Sequence, residues 1–251
     1  MPKFFVTQDK ITENQIIIDT EDVAHISRVL RLGIGDHVTV CDSHGTDYEA
    51  EIAEMEQKQI VCSITEKRAS ESEPNIKVTL FQGLPKASKM EYIIQKTTEL
   101  GISEIVPVKL SRCVVKIDNK KDERKKLDRW QKISEAAAKQ SGRGIVPQIS
   151  EIMTLDEVIK RSKEFDLFFV PYECEEQKTL KEVLLSRSDI KTVGFIIGPE
   201  GGFDPAETEK LRENGIDTVT LGKRILRTET AGEAVLAMTM YEIGDINNQT
   251  E

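Results

Sequence analysis

The sequence lacks any hydrophobic run long enough to span a bilayer, and its first ten residues, MPKFFVTQDK, contain no apolar core of the signal-peptide type. We therefore expect a cytoplasmic protein with no membrane association. Aromatic residues are also scarce, at 5%, whereas 31% of the chain is charged. This composition is typical of soluble globular proteins, and 251 residues suffice for one large or two ordinary domains.

Histidines and paired cysteines are scarce as well. His25, His37 and His44 are the only histidines, all near the N-terminus, and the four cysteines are scattered without a CxxC pair. Zinc sites in proteins are built largely from clustered histidine and cysteine side chains. We therefore expect no metal, and we interpret the cysteines as reduced structural thiols.

Two common phosphate-binding loops, GxxxxGK[ST] and GxGxxG, are also absent. A cofactor that carries phosphates is usually held by such a loop at the start of a helix. Their absence disfavours a nucleotide-dependent α/β enzyme, an alternative that saturable binding of ATP or NAD would revive.

The net charge is −9, but the charges are unevenly distributed. Residues 1–70 carry 7 basic and 13 acidic side chains, residues 71–145 carry 16 and 10, and residues 146–251 carry 12 and 21. The stretch KKDERKKLDRWQK, at residues 120–132, supplies much of the basic middle. It is either the solvated face of a helix or a phosphate-binding surface, and both interpretations stay open.

The first 70 residues are rich in short β segments. Residues 37–42, 46–55 and 59–67 have the composition of strands, with turn residues between the first two. One short helix is expected near residues 22–31. Together these patterns predict a small β-barrel, which a polar linker at residues 68–75 follows.

From residue 71 onwards, strand and helix patterns alternate, which predicts a parallel sheet with helices on both faces. We predict strands at residues 77–83, 104–109, 166–170, 193–198 and 217–222. We predict helices at residues 89–101, 127–142, 178–185, 204–214 and 229–243. Asp204 is a predicted N-cap, with Pro205 in the first helical position and Glu207 completing a capping box.

The motif GPEGGF, at residues 198–203, follows the apolar strand VGFII. In open parallel sheets, ligands bind beyond the carboxyl ends of the strands. Glu200 and Asp204 disfavour a phosphate here, but acids suit S-adenosylmethionine, whose sulfonium and amino groups are cationic. The three glycines would let its adenine approach the backbone closely. A tight strand-to-helix turn without a ligand is the alternative.

A second unusual loop, LGKRILRTETAGE, follows the next strand at residues 221–233. Three cations flank an apolar pair in it: Lys223, Arg224 and Arg227 around Ile225 and Leu226. The following helix begins with small residues, Thr230 and Ala231, which would permit close approach of a ligand. Glu233 would complete a capping box with Thr230. Two such loops at neighbouring strand ends favour a binding site.

The stretches FIIGPEGGFDPAE and LGKRILRTETAGEAVLA together resemble the SPOUT superfamily of RNA methyltransferases, and more narrowly the bacterial 16S rRNA uracil-N3 methyltransferases. Four further stretches resemble that family, in the expected order: HISRVLR, KMEYIIQKTTELGI, SRCVVK and EAAAKQSGR. Each is weak alone, whereas their joint occurrence is specific. The chain departs from the family at Ala87 and Ser88, where a more basic or glycine-bearing stretch is typical.

The resemblance implies a PUA-like β-barrel over residues 1–70 and a SPOUT methyltransferase domain over residues 71–251, whose chain passes through a deep trefoil knot. It also implies a homodimer that binds S-adenosylmethionine in the knot, with the active site near the subunit interface. Carried over by position, the cofactor would be held by Pro171, Ile197, Gly198, Glu200, Gly201, Gly202, Leu221, Gly222, Ile225, Leu226, Thr230 and Ala231. The loop Pro171–Glu173 would line the same pocket.

The implied reaction is methylation of uracil N3 in the 16S rRNA of the small ribosomal subunit. N3 carries a proton whose loss leaves charge on the ring oxygens. Arg227 is our first candidate to stabilise that charge, because a guanidinium donates two parallel hydrogen bonds; its alternative role is to orient the loop by pairing with an acid. Glu200 and Glu229 are candidate proton acceptors that could instead bind the cofactor or cap a helix, and His25 is a further candidate.

N3 lies on the Watson–Crick edge, so the target base must be unpaired or extruded during the reaction. Recognition should then use phosphate contacts and shape. The candidate RNA-binding residues are His25, Arg28, Arg31, Lys86, Lys89, Arg112 and Arg143, each of which could also be an ordinary surface charge. Two alternatives stay open: a SPOUT enzyme for another RNA or a ribose, and a non-catalytic RNA-binding ribosome-assembly factor.

Overall fold

The computed structural model describes residues 3–19, 22–115, 117 and 119–246. The chain divides into two compact units. The first contains Met1–Glu73 and Ala138–Val146, and the second contains Pro74–Ala137 and Pro147–Glu251. The stretch 138–146 is therefore grouped with the N-terminal unit, whereas the sequence analysis assigned it to the second domain.

The first unit is built on a five-stranded sheet of order β1-β3-β4-β5-β2. Its strands are β1 (Lys3–Phe5), β2 (Gln15–Ile18), β3 (His37–Cys41), β4 (Thr46–Met55) and β5 (Ile60–Ala69). β1 runs parallel to β3, and the other neighbouring strands are antiparallel. A short helix, α1 (Asp22–Ala24), continues as a π-helical turn, His25–Leu30. The core of the unit is aliphatic and includes the fully buried Ile16, Val38 and Ile52.

The second unit contains a seven-stranded parallel sheet of order β12-β10-β11-β6-β7-β8, in which β9 also pairs with β7. The strands are β6 (Lys77–Gly83), β7 (Glu104–Lys109), β8 (Gln148–Ile149), β9 (Met153–Thr154), β10 (Leu167–Pro171), β11 (Thr192–Ile197) and β12 (Asp217–Val219). The predicted parallel sheet is confirmed.

Helices cover both faces of this sheet. They are α2 (Lys89–Glu99), α3 (Lys120–Ser141), α4 (Leu155–Arg161), α5 (Leu180–Leu184), α6 (Pro205–Glu213) and α7 (Thr228–Glu242). Successive strand residues point to opposite faces, so Leu80 packs with α2, α5 and α7, whereas Phe81 packs with α4 and α6. The predicted arrangement of helices on both faces is confirmed.

Local signals place several helix ends correctly. Asp204 caps α6, Pro205 is its first residue, and Glu207 completes the capping box, as predicted. Gly101, beyond the end of α2, has a φ of +95°, the left-handed conformation that terminates helices. In contrast, α3 begins seven residues earlier than predicted, and α4 was not predicted. Within the described ranges, no helix is long and apolar enough to cross a membrane.

Candidate active site

A cavity of about 1120 Å³ lies at the carboxyl ends of the neighbouring parallel strands β10, β11 and β12. The loops that follow these strands form most of its lining, together with Lys89 of α2 and Ala231 of α7. Its volume is ample for a nucleoside-sized ligand. The two loops singled out by the sequence therefore belong to one pocket.

The pocket brings together all the predicted cofactor-binding residues except one. Those that line it are Pro171, Ile197, Gly198, Glu200, Gly201, Gly202, Leu221, Gly222, Ile225, Leu226 and Ala231. The exception is Thr230, which lies exposed within the first turn of α7. The predicted capping box between Thr230 and Glu233 is wrong, because α7 begins at Thr228 with Arg227 as its N-cap.

The glycines of GPEGGF allow a tight, self-packed loop. The N–H of Gly202 donates to the carbonyl oxygen of Pro199 at 2.9 Å, and Gly202 has a φ of +66°. A Cβ on Gly202 would lie 2.8 Å from Oε1 of Glu173, and one on Gly198 would lie 3.1 Å from the carbonyl carbon of Gly202. The loop is thus a tight turn and a pocket wall at once, so the two interpretations of the motif do not exclude each other.

Three acids of the loop after β10 also line the pocket; the first belongs to the predicted loop Pro171–Glu173, whereas the sequence analysis did not select the other two. They are Glu173, Glu175 and Glu176. Glu175 accepts hydrogen bonds from the hydroxyl of Thr218 and the N–H of Gln177, which lower its pKa to about 2. The run YECEE directly after a buried strand was the available signal. Glu175 is also paired with Arg212 at 3.5 Å, so Glu173 and Glu176 are the acids that make part of the wall suit a cationic ligand.

Glu200, at the pocket wall, is held by its own N–H, by the N–H of Lys86 and by the ammonium of Lys89. Its carboxylate accepts from the backbone N–H of Lys86 at 3.0 Å and lies 3.2 Å from the ammonium of Lys89. Burial alone would raise the pKa of Glu200, but its own N–H, that of Lys86 and the ammonium of Lys89 together lower it. A carboxylate with a lowered pKa is a weak base, so this environment disfavours Glu200 as a proton acceptor.

Glu229, in the first turn of α7, has a similar environment. Its carboxylate lies 3.1 Å from the ammonium of Lys89. Burial would raise the pKa of Glu229, but its own N–H, Lys89 and the nearby charge of Arg227 lower it overall. Glu229 is therefore also ionised at neutral pH and disfavoured as a base.

Arg227 is exposed at the N-cap of α7 and lines the pocket. Among the residues that the structure describes, its guanidinium forms no ion pair. The neighbouring Ile225 is 87% exposed, which places an apolar side chain at the rim of the cavity. Arg227 is thus available to a ligand.

The side chain of Thr228 connects the two pocket loops through buried hydrogen bonds. Its hydroxyl donates to the carbonyl oxygen of Gly198 at 2.7 Å and accepts from Nε2 of Gln82 at 2.9 Å. Both side chains are buried, and Gln82 is fully so. Gly83, the next residue, packs against Pro199 so closely that a Cβ would lie 2.8 Å from its ring. The sequence analysis missed Gln82, Gly83 and Thr228, because their partners lie far along the chain.

The predicted RNA-binding residues have different environments. His25, Arg28 and Arg31 are exposed in the first unit, where Arg31 adopts a left-handed φ of 56°. Arg143 does not fit the prediction of a surface contact: it is 4% exposed, and its guanidinium is paired with Glu73 at 2.6 Å.

In the second unit, Lys86 is exposed, whereas the ammonium of Lys89 is bound by two carboxylates. Arg112 donates to the carbonyl oxygen of Gly201 at 3.0 Å and so braces the glycine loop. Ala87, in the stretch where the family resemblance led us to expect more basic or glycine residues, has a φ of 51°, a conformation that glycine adopts without strain. Lys116 of the SRCVVK stretch lies outside the described residues.

Comparison with known proteins finds two family matches along the chain. Residues 71–240 match a family model described as an RNA methyltransferase domain, and residues 18–65 match an RNA methyltransferase PUA domain. The chain is 35% identical to ribosomal RNA small subunit methyltransferase E of Bacillus subtilis, covering 100% of this chain and 98% of that protein. The corresponding protein of Mesomycoplasma hyopneumoniae is 31% identical, with 92% and 95% covered.

Among solved structures, ribosomal RNA small subunit methyltransferase E from Neisseria gonorrhoeae, bound to S-adenosylmethionine, matches with a TM-score of 0.83. It is 30% identical and covers 98% of this chain and 99% of its own. The fold, the strand-end pocket and the matched PUA region thus define an RNA methyltransferase with a PUA domain. Within that class, the chain belongs to the ribosomal RNA small subunit methyltransferase E family. The trefoil knot implied by the resemblance stays a prediction.

Proposed function

We propose that the protein transfers the methyl group of S-adenosylmethionine to N3 of a uridine in the 16S rRNA of the small ribosomal subunit. The observation that carries this proposal is the pocket at the ends of β10, β11 and β12, which combines an acidic wall with a free guanidinium, in a chain of this family. Because its substrate would be ribosomal RNA, we expect the protein to act in the cytoplasm.

The pocket residues fit S-adenosylmethionine, which would supply the electrophilic methyl group. Ile197, Leu221, Leu226 and Ala231 offer apolar contacts for an adenosine, and the bare backbone of the glycine loop offers N–H and C=O groups for its polar edge. The acids of the loop after β10 would balance the positive sulfonium. No phosphate-binding loop is required, in keeping with a cofactor that has no phosphate.

Arg227 would stabilise the negative charge that develops on the uracil oxygens when N3 loses its proton. A guanidinium never loses its own charge at physiological pH and donates hydrogen bonds in a fixed fork. Because the pKa values of Glu200 and Glu229 are lowered, we assign these residues to holding the loop and balancing charge. The proton would then leave to solvent from a base whose anion Arg227 stabilises.

The family resemblance also implies a homodimer, and we include it in the proposal. The packed helices α2 and α7 expose large side chains: Tyr92 at 47%, Met238 at 41% and Tyr241 at 56%. Exposed apolar side chains of this size are typical of association surfaces. Light scattering of the purified protein should give twice the 28.3 kDa of the chain, and a monomer at all concentrations would reject this part.

Two experiments test the proposal. First, calorimetry should detect binding of S-adenosylmethionine; binding of RNA without the cofactor would instead favour a non-catalytic assembly factor. Second, primer extension on 16S rRNA from wild-type and gene-deletion strains should show a reverse-transcription stop only in the wild type, because an N3 methyl group blocks base pairing. Identical stops in both strains would reject the N3 assignment but leave the cofactor assignment in place.

A further inference from the structure

Three charged side chains from distant parts of the chain meet beside the pocket, and two of them, Lys89 and Glu200, line it. Lys89 is the first residue of α2, Glu200 lies in the loop after β11, and Glu229 lies in the first turn of α7. The ammonium of Lys89 is 3.2 Å from Glu200 and 3.1 Å from Glu229. One cation thus pairs with two carboxylates, and it joins the glycine loop to α7, whose N-cap is Arg227.

The two carboxylates depend on Lys89 to different degrees. Glu200 also accepts a hydrogen bond from the backbone N–H of Lys86. Glu229 has fewer partners among the described residues: its buried Oε2 is paired with Lys89, and only its own N–H and the nearby charge of Arg227 add to that. A buried carboxylate that loses its counter-cation is an uncompensated charge, which favours pairing with another cation.

Arg227 is the cation, besides Lys89, whose charge acts on Glu229. It lies two residues before Glu229 in the sequence. In the structure, the guanidinium of Arg227 is exposed and forms no ion pair within the described ranges. The pairing of Glu229 with Lys89 therefore leaves Arg227 free to face the pocket.

We propose that Lys89 is a positioning residue: by binding Glu229 and Glu200, it keeps the guanidinium of Arg227 free for the substrate base. This inference rests on the proposed methyl transfer. It also changes the predicted role of Lys89, which the sequence suggested as a contact to RNA phosphate. Lys89 acts through Arg227 and need not touch either substrate.

A double-mutant cycle tests this inference. In the otherwise native protein, Lys89→Gln should lower kcat about tenfold, because Glu229 then captures Arg227. Binding of S-adenosylmethionine, measured by calorimetry, should stay within about threefold of the native value, since other residues hold the cofactor. In a Glu229→Gln background, the same Lys89→Gln change should lower kcat less than about threefold, because no carboxylate remains there to capture Arg227. Lys89→Arg, which retains the charge, should keep most of the rate.

Lys210→Gln is the matched control, because it also removes a lysine from an ion pair, with Asp156, but outside the pocket. It should leave kcat unchanged. If the Lys89→Gln protein unfolds below the assay temperature, Lys89→Met replaces it in the cycle, because methionine keeps an aliphatic side chain. Equal losses of kcat in both backgrounds, or loss of cofactor binding, would overturn the positioning role. Absence of methyl transfer by the native protein would instead overturn the proposed function.

Discussion

Arg227 is the residue on which the proposed chemistry depends most. We expect Arg227→Ala to lower kcat by about a hundredfold or more, the usual consequence of removing one preorganised donor from a developing anion. Affinity for S-adenosylmethionine should change little, because the glycine loop and the apolar wall are untouched. Single-turnover methylation and calorimetry measure the two quantities separately.

The matched control for this variant is Arg187→Ala. Arg187 is also an exposed arginine, but its guanidinium donates to the carbonyl oxygen of Asp166, outside the pocket. It should leave kcat within about twofold of the native rate. An Arg227→Ala protein that turns over at the native rate would remove Arg227 from the mechanism.

The acids beside Arg227 lead to a prediction for the pH dependence. The pKa values of Glu200 and Glu229 are both lowered from the ordinary 4.5, so both carboxylates are ionised throughout the neutral range. They therefore add no titration between pH 6 and 9, and their contribution to stability fades only in acid, as the pH falls through their lowered values. We expect the single-turnover rate to rise with pH over that range, because the fraction of uracil deprotonated at N3 rises.

Replacing the target uridine by 5-fluorouridine tests this interpretation directly. Fluorine lowers the pKa of N3. The pH at which the single-turnover rate rises should therefore fall by the same amount. A rise in rate whose pH does not move with the pKa of the base would contradict this interpretation and favour a proton acceptor on the protein, such as His25.

Among the structural elements, the junction between β6, the glycine loop and α7 depends on one hydroxyl. We expect Thr228→Val, which keeps the shape of the side chain, to lower the free energy of unfolding by about 2–3 kcal/mol. The reason is that the carbonyl oxygen of Gly198 and one N–H of Gln82 would each lose a buried partner. Because Gly198 lines the pocket, affinity for S-adenosylmethionine should fall too. Urea denaturation and calorimetry give these values.

The same helix offers a control for Thr228. Thr239 is also buried in α7, but its hydroxyl has no hydrogen-bond partner among the described residues. Thr239→Val should therefore be neutral or slightly stabilising, since it replaces an unpaired polar group by a methyl group. Equal effects of the two substitutions would show that the hydroxyl of Thr228 is not what holds the junction.

The sequence predicted the helices and strands correctly where local signals determine them. Its predictions failed where contacts between distant residues determine the structure. The alternation of strands and helices and the capping box from Asp204 to Glu207 are local patterns, and both are confirmed. The predicted start of α7, at residue 229, is one residue late, whereas the predicted capping box is wrong although the TxxE pattern from Thr230 to Glu233 has its form. The helix instead begins at Thr228, whose hydroxyl is bound by Gly198, 30 residues earlier.

For the same reason, the pocket was easier to predict than the roles of its charged residues. Loops after parallel strands meet at one edge of the sheet, so one glycine-rich loop and one cationic loop at two strand ends were sufficient to place it. The environments of Lys89 and Arg143 depend instead on partners far along the chain. Glu200 and Glu229 bind Lys89, and Glu73, 70 residues away, buries Arg143 in an ion pair.

For the whole molecule, a net charge of −9 would repel RNA if it were spread evenly. It is not, because the basic stretch at residues 120–132 forms the exposed first half of α3. Both sequence interpretations of that stretch, a solvated helix face and a phosphate-binding surface, therefore remain compatible with its position. Only a binding measurement separates them.

We expect binding of 16S rRNA to weaken strongly with salt, and the basic face of α3 to supply part of that dependence. Removing its charge with the triple substitution Lys121→Gln, Lys125→Gln and Lys132→Gln should flatten the plot of log K against log salt concentration. The slope should change by about 0.7–0.9 for each phosphate that the helix no longer neutralises. Affinity for S-adenosylmethionine should not change, because these exposed residues lie outside the pocket.

A control triple, Lys163→Gln, Lys181→Gln and Lys210→Gln, makes the same change in net charge elsewhere on the surface of the second unit. If both triples flatten the slope equally, total charge rather than α3 governs association, and if the native protein binds without salt dependence, phosphate contacts do not drive it.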